Sequence, residues 1–204
     1  MFLLSPASCS GKRAQQLLAP RAEFELAVRV RDGGAPLGEV FSFCSALYFR
    51  GKLTYARHFA APPDDGPGVL VITPNRGLVT PETRLAADDL RDFARVDIDP
   101  EDRRYTRPLA AAARELRARL PAPAQVVLLG SIATPKYVDL LVAELGRALL
   151  FPSEFVGRGD MSRGGMLLRA ARAGTELEYA SVEGAVRHGA RAKRLDALPR
   201  FRPR

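Results

Sequence analysis

Two runs of consecutive apolar residues constrain the fold of this chain more than any other feature. Residues 69–72 read Val-Leu-Val-Ile, and residues 126–129 read Val-Val-Leu-Leu. A short, continuous apolar run is typical of a strand that is buried on both faces. Segments with helical spacing separate the apolar runs. The sequence therefore predicts an α/β fold with a mostly parallel or mixed central sheet flanked by helices.

The predicted elements alternate along the chain. We expect strands at residues 2–4, 69–72, 125–129, 149–151 and 177–182. We expect helices at residues 11–18, 38–60, 86–94, 108–120, 135–145 and 162–173. The second helix is expected to break near Gly51, and the fourth to begin at Pro108. A single domain is expected over residues 1–184, followed by a basic C-terminal tail over residues 185–204.

Composition excludes several classes of protein. A chain of 204 residues with 47% hydrophobic residues is long enough and apolar enough to bury a core, which argues against disorder. It has no apolar run of roughly 18 residues, the length that a membrane span needs. Its two cysteines cannot build a disulfide framework, and its first residues make a poor signal peptide. We therefore expect a cytoplasmic protein with no membrane partner.

Positive charge is concentrated at the C-terminal end. The net charge is +8, and residues 157–204 carry +6 of it. A basic segment of this kind favours a polyanionic partner, because guanidinium groups pair with phosphate. The alternative is a solvated, weakly ordered tail that keeps the protein soluble.

The first group of candidate site residues follows the first strand. Residues 5–12 read Ser-Pro-Ala-Ser-Cys-Ser-Gly-Lys, so small residues precede a helix N-terminus and a lysine. This composition predicts an anion-binding loop that uses Ser5, Ser8 and Ser10. The same environment is expected to lower the pKa of Cys9, so Cys9 and Lys12 are candidate catalytic residues. A tight structural turn with an unreactive thiol is the alternative.

Two further groups follow later strands. Asn75 is suited to reading an amide or base edge, and Arg76 to holding an anion, although the same residues suit an ordinary turn. Ser131 and Lys136 lie at the junction of a strand and a helix. A cation in the first turn of a helix opposes the helix dipole, so Lys136 is predicted to meet a bound anion.

The fourth group has the densest mixture of glycine and arginine. Residues 155–165 contain four glycines, together with Arg158, Asp160, Ser162 and Arg163. This composition predicts an anion cradle with cationic clamps, and it makes Ser162 a third candidate catalytic residue. In the structural alternative, Ser162 is a helix N-cap and Asp160 pairs with an arginine.

The order of these motifs resembles the YaaA peroxide-stress family. Residues 4–7 resemble its Ser-Pro-Ala-Lys opening, and residues 48–53 its Tyr-x-Gly-Leu segment. Residues 76–81 resemble its Tyr-Gly-Leu-x-x-Pro motif, and residues 129–137 its apolar strand followed by Ser-x-x-Tyr. The most specific likeness is residues 157–163, Gly-Arg-Gly-Asp-Met-Ser-Arg, to its Ala-Arg-Gly-x-Met-Ser-Arg signature.

The resemblance implies a one-domain α/β protein with a basic cleft, duplex DNA binding and a role in peroxide resistance. The chain departs from the family in two places. Residues 8–11 stand between the Ser-Pro-Ala opening and Lys12, so the basic residue is displaced from its position in the family. The resulting loop is similar to the cysteine-containing loop of archaeosine-synthase-like domains. Those domains resemble uracil-DNA glycosylases in fold. The segment before Tyr48 is also short for the family's helix-hairpin-helix element.

Two functions are therefore predicted. The first is a nucleic-acid-binding stress protein with a basic anion-binding cleft. Its expected partner is nucleic acid, duplex DNA above all, and the alternative partner is a small molecule that contains a phosphate or a base. The second is an enzyme of the glycosylase or transferase type that acts on a nucleobase, nucleoside or nucleotide, with the cleft residues as its active site. We expect no cofactor and no metal site in either case.

Overall fold

A computed structural model describes residues 1–62, 66–121, 123–193 and 195. Within these ranges the helices are α1 Lys12–Leu18, α2 Glu25–Asp32, α3 Leu37–Phe59, α4 Ala87–Ala94, α5 Arg103–Arg119, α6 Pro135–Leu145 and α7 Asp160–Ala173. The strands are β1 Phe2–Leu4, β2 Ala35–Pro36, β3 Val69–Ile72, β4 Leu78–Val79, β5 Arg84–Leu85, β6 Val126–Leu129, β7 Leu149–Pro152 and β8 Tyr179–Ser181.

The central sheet has six strands in the order β4-β3-β1-β6-β7-β8. Strand β1 pairs in parallel with β3 on one side and β6 on the other, and β6 pairs in parallel with β7. The edge strands β4 and β8 are antiparallel to their neighbours. Strands β2 and β5 form a separate antiparallel pair. Helices flank this mixed sheet in a single compact domain, so the predicted fold class is confirmed.

The three inner apolar runs became the centre of the sheet for a simple reason. Every residue of β1, β3 and β6 is buried. Burying an aliphatic side chain contributes about 1.5–3 kcal/mol, and only an inner strand covered on both faces buries all of its side chains. The apolar runs therefore determine which strands are central.

Two predicted helix features are wrong. Helix α5 begins at Arg103, because Asp102 accepts a hydrogen bond from the Arg104 backbone N–H as its N-cap, and Pro108 lies inside the helix. In α3 the backbone leaves helical geometry at Ala46, with φ of 47°, and Gly51 remains helical. Helix α2 and the short strands β2, β4 and β5 had no prediction, since such short elements carry little periodic signal.

The C-terminal segment is described up to residue 193 and at residue 195. Its backbone packs against the loop before α7, where the Ala192 N–H donates to the Gly157 carbonyl at 3.2 Å. The rest of the predicted basic tail lies outside the described residues. In the described part of the chain, no helix has the length and apolar character needed to cross a bilayer.

Candidate functional site

A cleft of about 700 Å³ opens at the carboxyl ends of the central strands. The loop after β1 and the loop after β6 form two of its walls. The next strand of the sheet after β1 is β3, which lies on one side of the β1–β6 pair. The next strand after β6 is β7, which lies on the opposite side of that pair. The cleft therefore lies at a topological switch point, where ligands bind in open α/β sheets. We call it the strand-end cleft.

Hydroxyl groups dominate the polar lining of the strand-end cleft. They come from three elements that are distant in sequence, namely the loop after β1, helix α3 and the segment from Ser131 to Tyr137. The hydroxyl-bearing residues are Ser5, Ser8, Ser10, Ser45, Tyr48, Ser131, Thr134 and Tyr137. Ser45 and Tyr48 flank the irregular backbone at Ala46, so the distortion of α3 lies beside the cleft.

A buried lysine lies directly behind Ser5. The Lys52 side chain is fully buried, and its Nζ is 2.8 Å from Ser5 Oγ and 2.6 Å from the Ser5 carbonyl oxygen. Burial lowers the pKa of Lys52 to about 7; the Asp160 charge opposes this shift and the Arg163 charge adds to it. Sequence reasoning did not select Lys52 as a site residue. The available signal was a lysine among the buried aromatic residues of α3.

Tyr137 completes the floor of the cleft next to Ser5. Its hydroxyl donates to the Ser131 carbonyl at 2.9 Å. Burial raises the pKa of Tyr137, and its hydrogen bonds with Ser5 and Ser131 oppose that shift. A Cβ on Gly130 would lie 2.8 Å from Tyr137 Oη and 2.9 Å from Ser5 Cβ. Glycine at position 130 therefore allows the two side chains to approach each other.

Acidic side chains outnumber basic ones in the lining of the strand-end cleft. Asp97, Asp99 and Asp160 line it, against the exposed Lys136. Among the described lining residues the formal balance is thus negative. This charge favours a neutral or cationic ligand over a phosphate in this cleft.

The prediction of a low pKa for Cys9 is wrong. Its thiol is buried and lies 3.7 Å from the Ala7 carbonyl, as a weak donor. Burial raises the pKa of Cys9 to about 12, and the neighbouring Cys44 adds to the shift. Because the thiolate is the nucleophile, this environment leaves Cys9 unreactive near neutral pH.

A second cleft, of about 850 Å³, lies on the other side of Asp160. Four basic side chains line it: Arg158, Arg169, Arg191 and Lys193. Asp160 is the one acidic residue among its described lining residues, and it also lines the strand-end cleft. We call this second cavity the basic cleft. The two cavities meet at the N-terminus of α7.

Ser162 lines the basic cleft, yet it is not a helix N-cap. Helix α7 begins at Asp160, and its N-cap is Gly159. Ser162 Oγ instead accepts a hydrogen bond from Arg158 Nη1 at 3.4 Å. The start of α7 two residues earlier than expected moves Ser162 into the first turn.

The Arg163 side chain is buried and makes its hydrogen bonds within the fold. It is 7% exposed, and its Nε and Nη2 both donate to the Phe155 carbonyl, at 3.2 and 3.1 Å. Its Nη1 lies 3.3 Å from the Asp160 carboxylate. These contacts match the structural alternative, in which Asp160 pairs with an arginine. Arg163 lines neither of the two clefts.

Arg158 joins two segments at the edge of the basic cleft. Its Nε donates to the Glu154 carbonyl at 3.0 Å, and its Nη1 donates to the Lys193 carbonyl at 3.0 Å. Arg158 therefore holds the C-terminal segment, which in turn carries Arg191 and Lys193 into the cleft lining.

The thirteen predicted site residues are divided by the fold. The strand-end cleft gathers Ser5, Ser8, Cys9, Ser10, Ser131, Lys136 and Asp160. The basic cleft gathers Arg158, Ser162 and, again, Asp160. Lys12, Asn75, Arg76 and Arg163 line neither. The Arg76 side chain packs against helix α4, where it pairs with Asp89 and lies 5.3 Å from the Phe93 ring centroid.

Comparison of the chain with protein-family models, with curated proteins and with solved structures finds no match in any of the three.

Proposed function

We propose that the protein binds nucleic acid through the basic cleft. The observation that carries the proposal is the convergence of Arg158, Arg169, Arg191 and Lys193 on one cavity. Arginine and lysine side chains bind the phosphate backbone and release its counterions. Arg191 and Lys193 are exposed, so their charges face solvent in a position where a phosphate chain can reach them.

The resemblance to the YaaA family supports duplex DNA as the partner. Residues 157–162 of the signature-like segment line the basic cleft, and Arg158 holds the C-terminal segment there. Residues 157–204 also carry most of the net positive charge. A role in peroxide resistance and a cytoplasmic location are part of the same proposal.

The test is binding of a 20-base-pair duplex to the double variant Arg191→Ala/Lys193→Ala, measured by fluorescence anisotropy at several salt concentrations. We expect affinity to fall by about 10-fold or more. The slope of log affinity against log salt should become shallower by about 1.8, at roughly 0.9 per lost phosphate contact.

Arg117→Ala/Arg119→Ala is the matched control. It removes the same charge from the exposed face of α5, away from both clefts. Equal loss of affinity in the two double variants would show that only net charge matters, which would reject the basic cleft as the binding site. Wild-type protein that binds neither duplex nor single-stranded DNA nor RNA would reject the function itself.

An enzyme that acts on a nucleobase, nucleoside or nucleotide is the second candidate. The contiguity of the two clefts at Asp160 supports it, because a nucleotide can place its phosphate among the cations and its neutral base among the hydroxyls. Calorimetric titration with a nucleoside and with the matching nucleoside monophosphate tests it. We expect the monophosphate to bind more tightly, and Arg191→Ala/Lys193→Ala to remove the difference.

A further inference from the structure

The contact between Ser5 and Lys52 has the geometry of a nucleophile and its base. Ser5 Oγ and Lys52 Nζ are 2.8 Å apart, within hydrogen-bond distance. Ser5 is 5% exposed and lines the strand-end cleft, whereas Lys52 is fully enclosed behind it. A ligand or a single water molecule in the cleft can therefore reach the serine, while bulk solvent does not surround the amine.

The surroundings of Lys52 favour its uncharged form. Its two hydrogen-bond acceptors among the described residues both belong to Ser5, and neither is charged. Its Nζ lies 4.5 Å from the Tyr48 ring centroid and 4.8 Å from that of Phe49, and these cation–π contacts offset only part of the cost of a buried charge. The Asp160 charge favours the protonated amine, but the cost of burial outweighs it because no described carboxylate is hydrogen-bonded to Lys52, so a neutral amine fits this environment better. A neutral amine is able to accept a proton.

We propose that Ser5 and Lys52 form a nucleophile and general-base pair, and that the strand-end cleft is the active site of a hydrolase for carboxylic esters or amides. The proposal stands independently of nucleic-acid binding, because it uses the other cleft.

The proposed reaction has two steps, acylation of Ser5 and hydrolysis of the acyl-serine. In the first, Ser5 Oγ attacks the carbonyl carbon while Lys52 Nζ takes the hydroxyl proton. The bond to the leaving alcohol or amine breaks, and Lys52 returns the proton to that group. In the second step, water attacks the acyl-serine and Lys52 takes a proton from the water. The carboxylic acid leaves, and Ser5 regains its proton from Lys52.

The lining of the cleft indicates the substrate class. Asp160 is paired with Arg163, but the exposed Asp97 and Asp99 still outnumber Lys136, so an anionic acyl group is disfavoured and a neutral or cationic one is accommodated. The hydroxyls of Ser8, Ser10 and other lining residues suit a polar substrate.

Charged and titratable groups from three elements lie around the Ser5–Lys52 pair. Tyr48 is on α3 with Lys52, Tyr137 is on α6, and Asp160 and Arg163 are on α7. Burial raises the pKa of both tyrosines, so they stay neutral near pH 7. Lys52 is therefore the group in this cluster whose proton is expected to be exchanged near neutral pH.

The experiment uses a fluorophosphonate, which forms a bond from phosphorus to an activated serine oxygen and releases fluoride. The full chain is incubated with the probe between pH 5.5 and 9, and the labelled peptide is identified by mass spectrometry. We expect labelling at Ser5, with a rate that rises with pH and levels off above about pH 8. Hydrolysis of 4-nitrophenyl acetate should follow the same profile.

Three variants separate the proposal from a structural role of the pair. Ser5→Ala should show no labelling and no ester hydrolysis above the uncatalysed rate. Lys52→Met removes the base and should slow labelling by at least about 100-fold, a typical general-base contribution. Ser42→Ala is the matched control on the same helix α3, outside the strand-end cleft, and should label at the wild-type rate.

Lys52→Arg replaces Lys52→Met as the test variant if the methionine variant fails to fold. Arginine keeps the hydrogen-bond donors of lysine but does not act as a base at these pH values. Wild-type labelling absent from Ser5, or independent of pH over this range, overturns the proposal whatever the variants do. Wild-type rates in folded Lys52→Met or Lys52→Arg overturn it as well. Loss of nucleic-acid binding in the basic-cleft variants has no bearing on these outcomes.

Discussion

Gly51 on α3 and Gly164 on α7 bring the backbones of the two helices into direct contact. A Cβ placed on Gly51 would lie 2.6 Å from the Gly164 carbonyl oxygen, and one on Gly164 would lie 2.8 Å from the Leu47 carbonyl oxygen. Backbone atoms cannot yield as a flexible side chain can. This contact positions α7, whose first turn carries Asp160 and Ser162, against the helix that carries Lys52 and Tyr48.

Gly164→Ala should therefore destabilise the protein by about 2–3 kcal/mol, the cost of overpacking a close contact. The neighbouring Gly165→Ala is the control, because among the described residues its Cβ would meet Leu195 Cδ1 alone, at an ordinary contact distance of 3.7 Å. Alanine has the higher helix propensity, so Gly165→Ala should stabilise by up to about 1 kcal/mol. Urea unfolding of both variants measures the difference, and equal effects would contradict the close contact.

Arg163→Ala should lower the free energy of unfolding by about 2–3 kcal/mol. The variant removes two hydrogen bonds from a buried guanidinium to the Phe155 carbonyl, and such charged donors contribute roughly 1.5–3 kcal/mol. Arg172→Ala on the same helix is the control, since Arg172 is exposed and should change stability by less than about 0.5 kcal/mol. Thermal and urea unfolding test both. An unchanged stability for Arg163→Ala would mean that its buried contacts are weak.

Lys52 should make stability increase with pH above neutrality. Burial lowers its pKa from 10.5 to about 7, so between these values the unfolded chain binds more protons than the folded one. Stability then rises as pH rises through this window. Cysteines and tyrosines whose pKa values are raised act in the opposite direction above about pH 9. The difference between wild type and Lys52→Met isolates the effect of Lys52.

That difference is measured by urea unfolding at pH 6, 7, 8 and 9. We expect the wild type to gain stability relative to Lys52→Met at each step above pH 7, and little change between pH 6 and 7. A constant difference across the series would show that Lys52 keeps an ordinary pKa.

Cys9 should react slowly with iodoacetamide in the folded protein. Its pKa rises from 9.0 to about 12, which reduces the thiolate fraction at pH 8 by about 1,000-fold. Mass spectrometry of timed samples measures the rate, and Cys9→Ser identifies the modified site. Protein unfolded in urea supplies the reference rate for an accessible thiol. A native rate close to that reference would restore Cys9 as a candidate nucleophile.

The local pattern of the sequence determined the main elements. The strands Phe2–Leu4 and Val69–Ile72 and the helix Pro135–Leu145 have the predicted bounds. Continuous apolar runs and a proline at the first helical position act over a few neighbouring residues, so they can be read without the tertiary structure. The same pattern correctly indicated that polar residues after β1 and β6 lie at one edge of the sheet.

The tertiary structure alone decided which of those polar groups meet. Ser5 and Lys52 are 47 positions apart, and the parallel pairing of β1 with its neighbours together with the position of α3 brings them to 2.8 Å. The same packing turns Arg163 inward and divides the predicted residues between two clefts. Contacts between distant segments determine how far a side chain is buried, and burial in turn determines its pKa and its hydrogen-bond partners. Local periodicity does not encode these contacts.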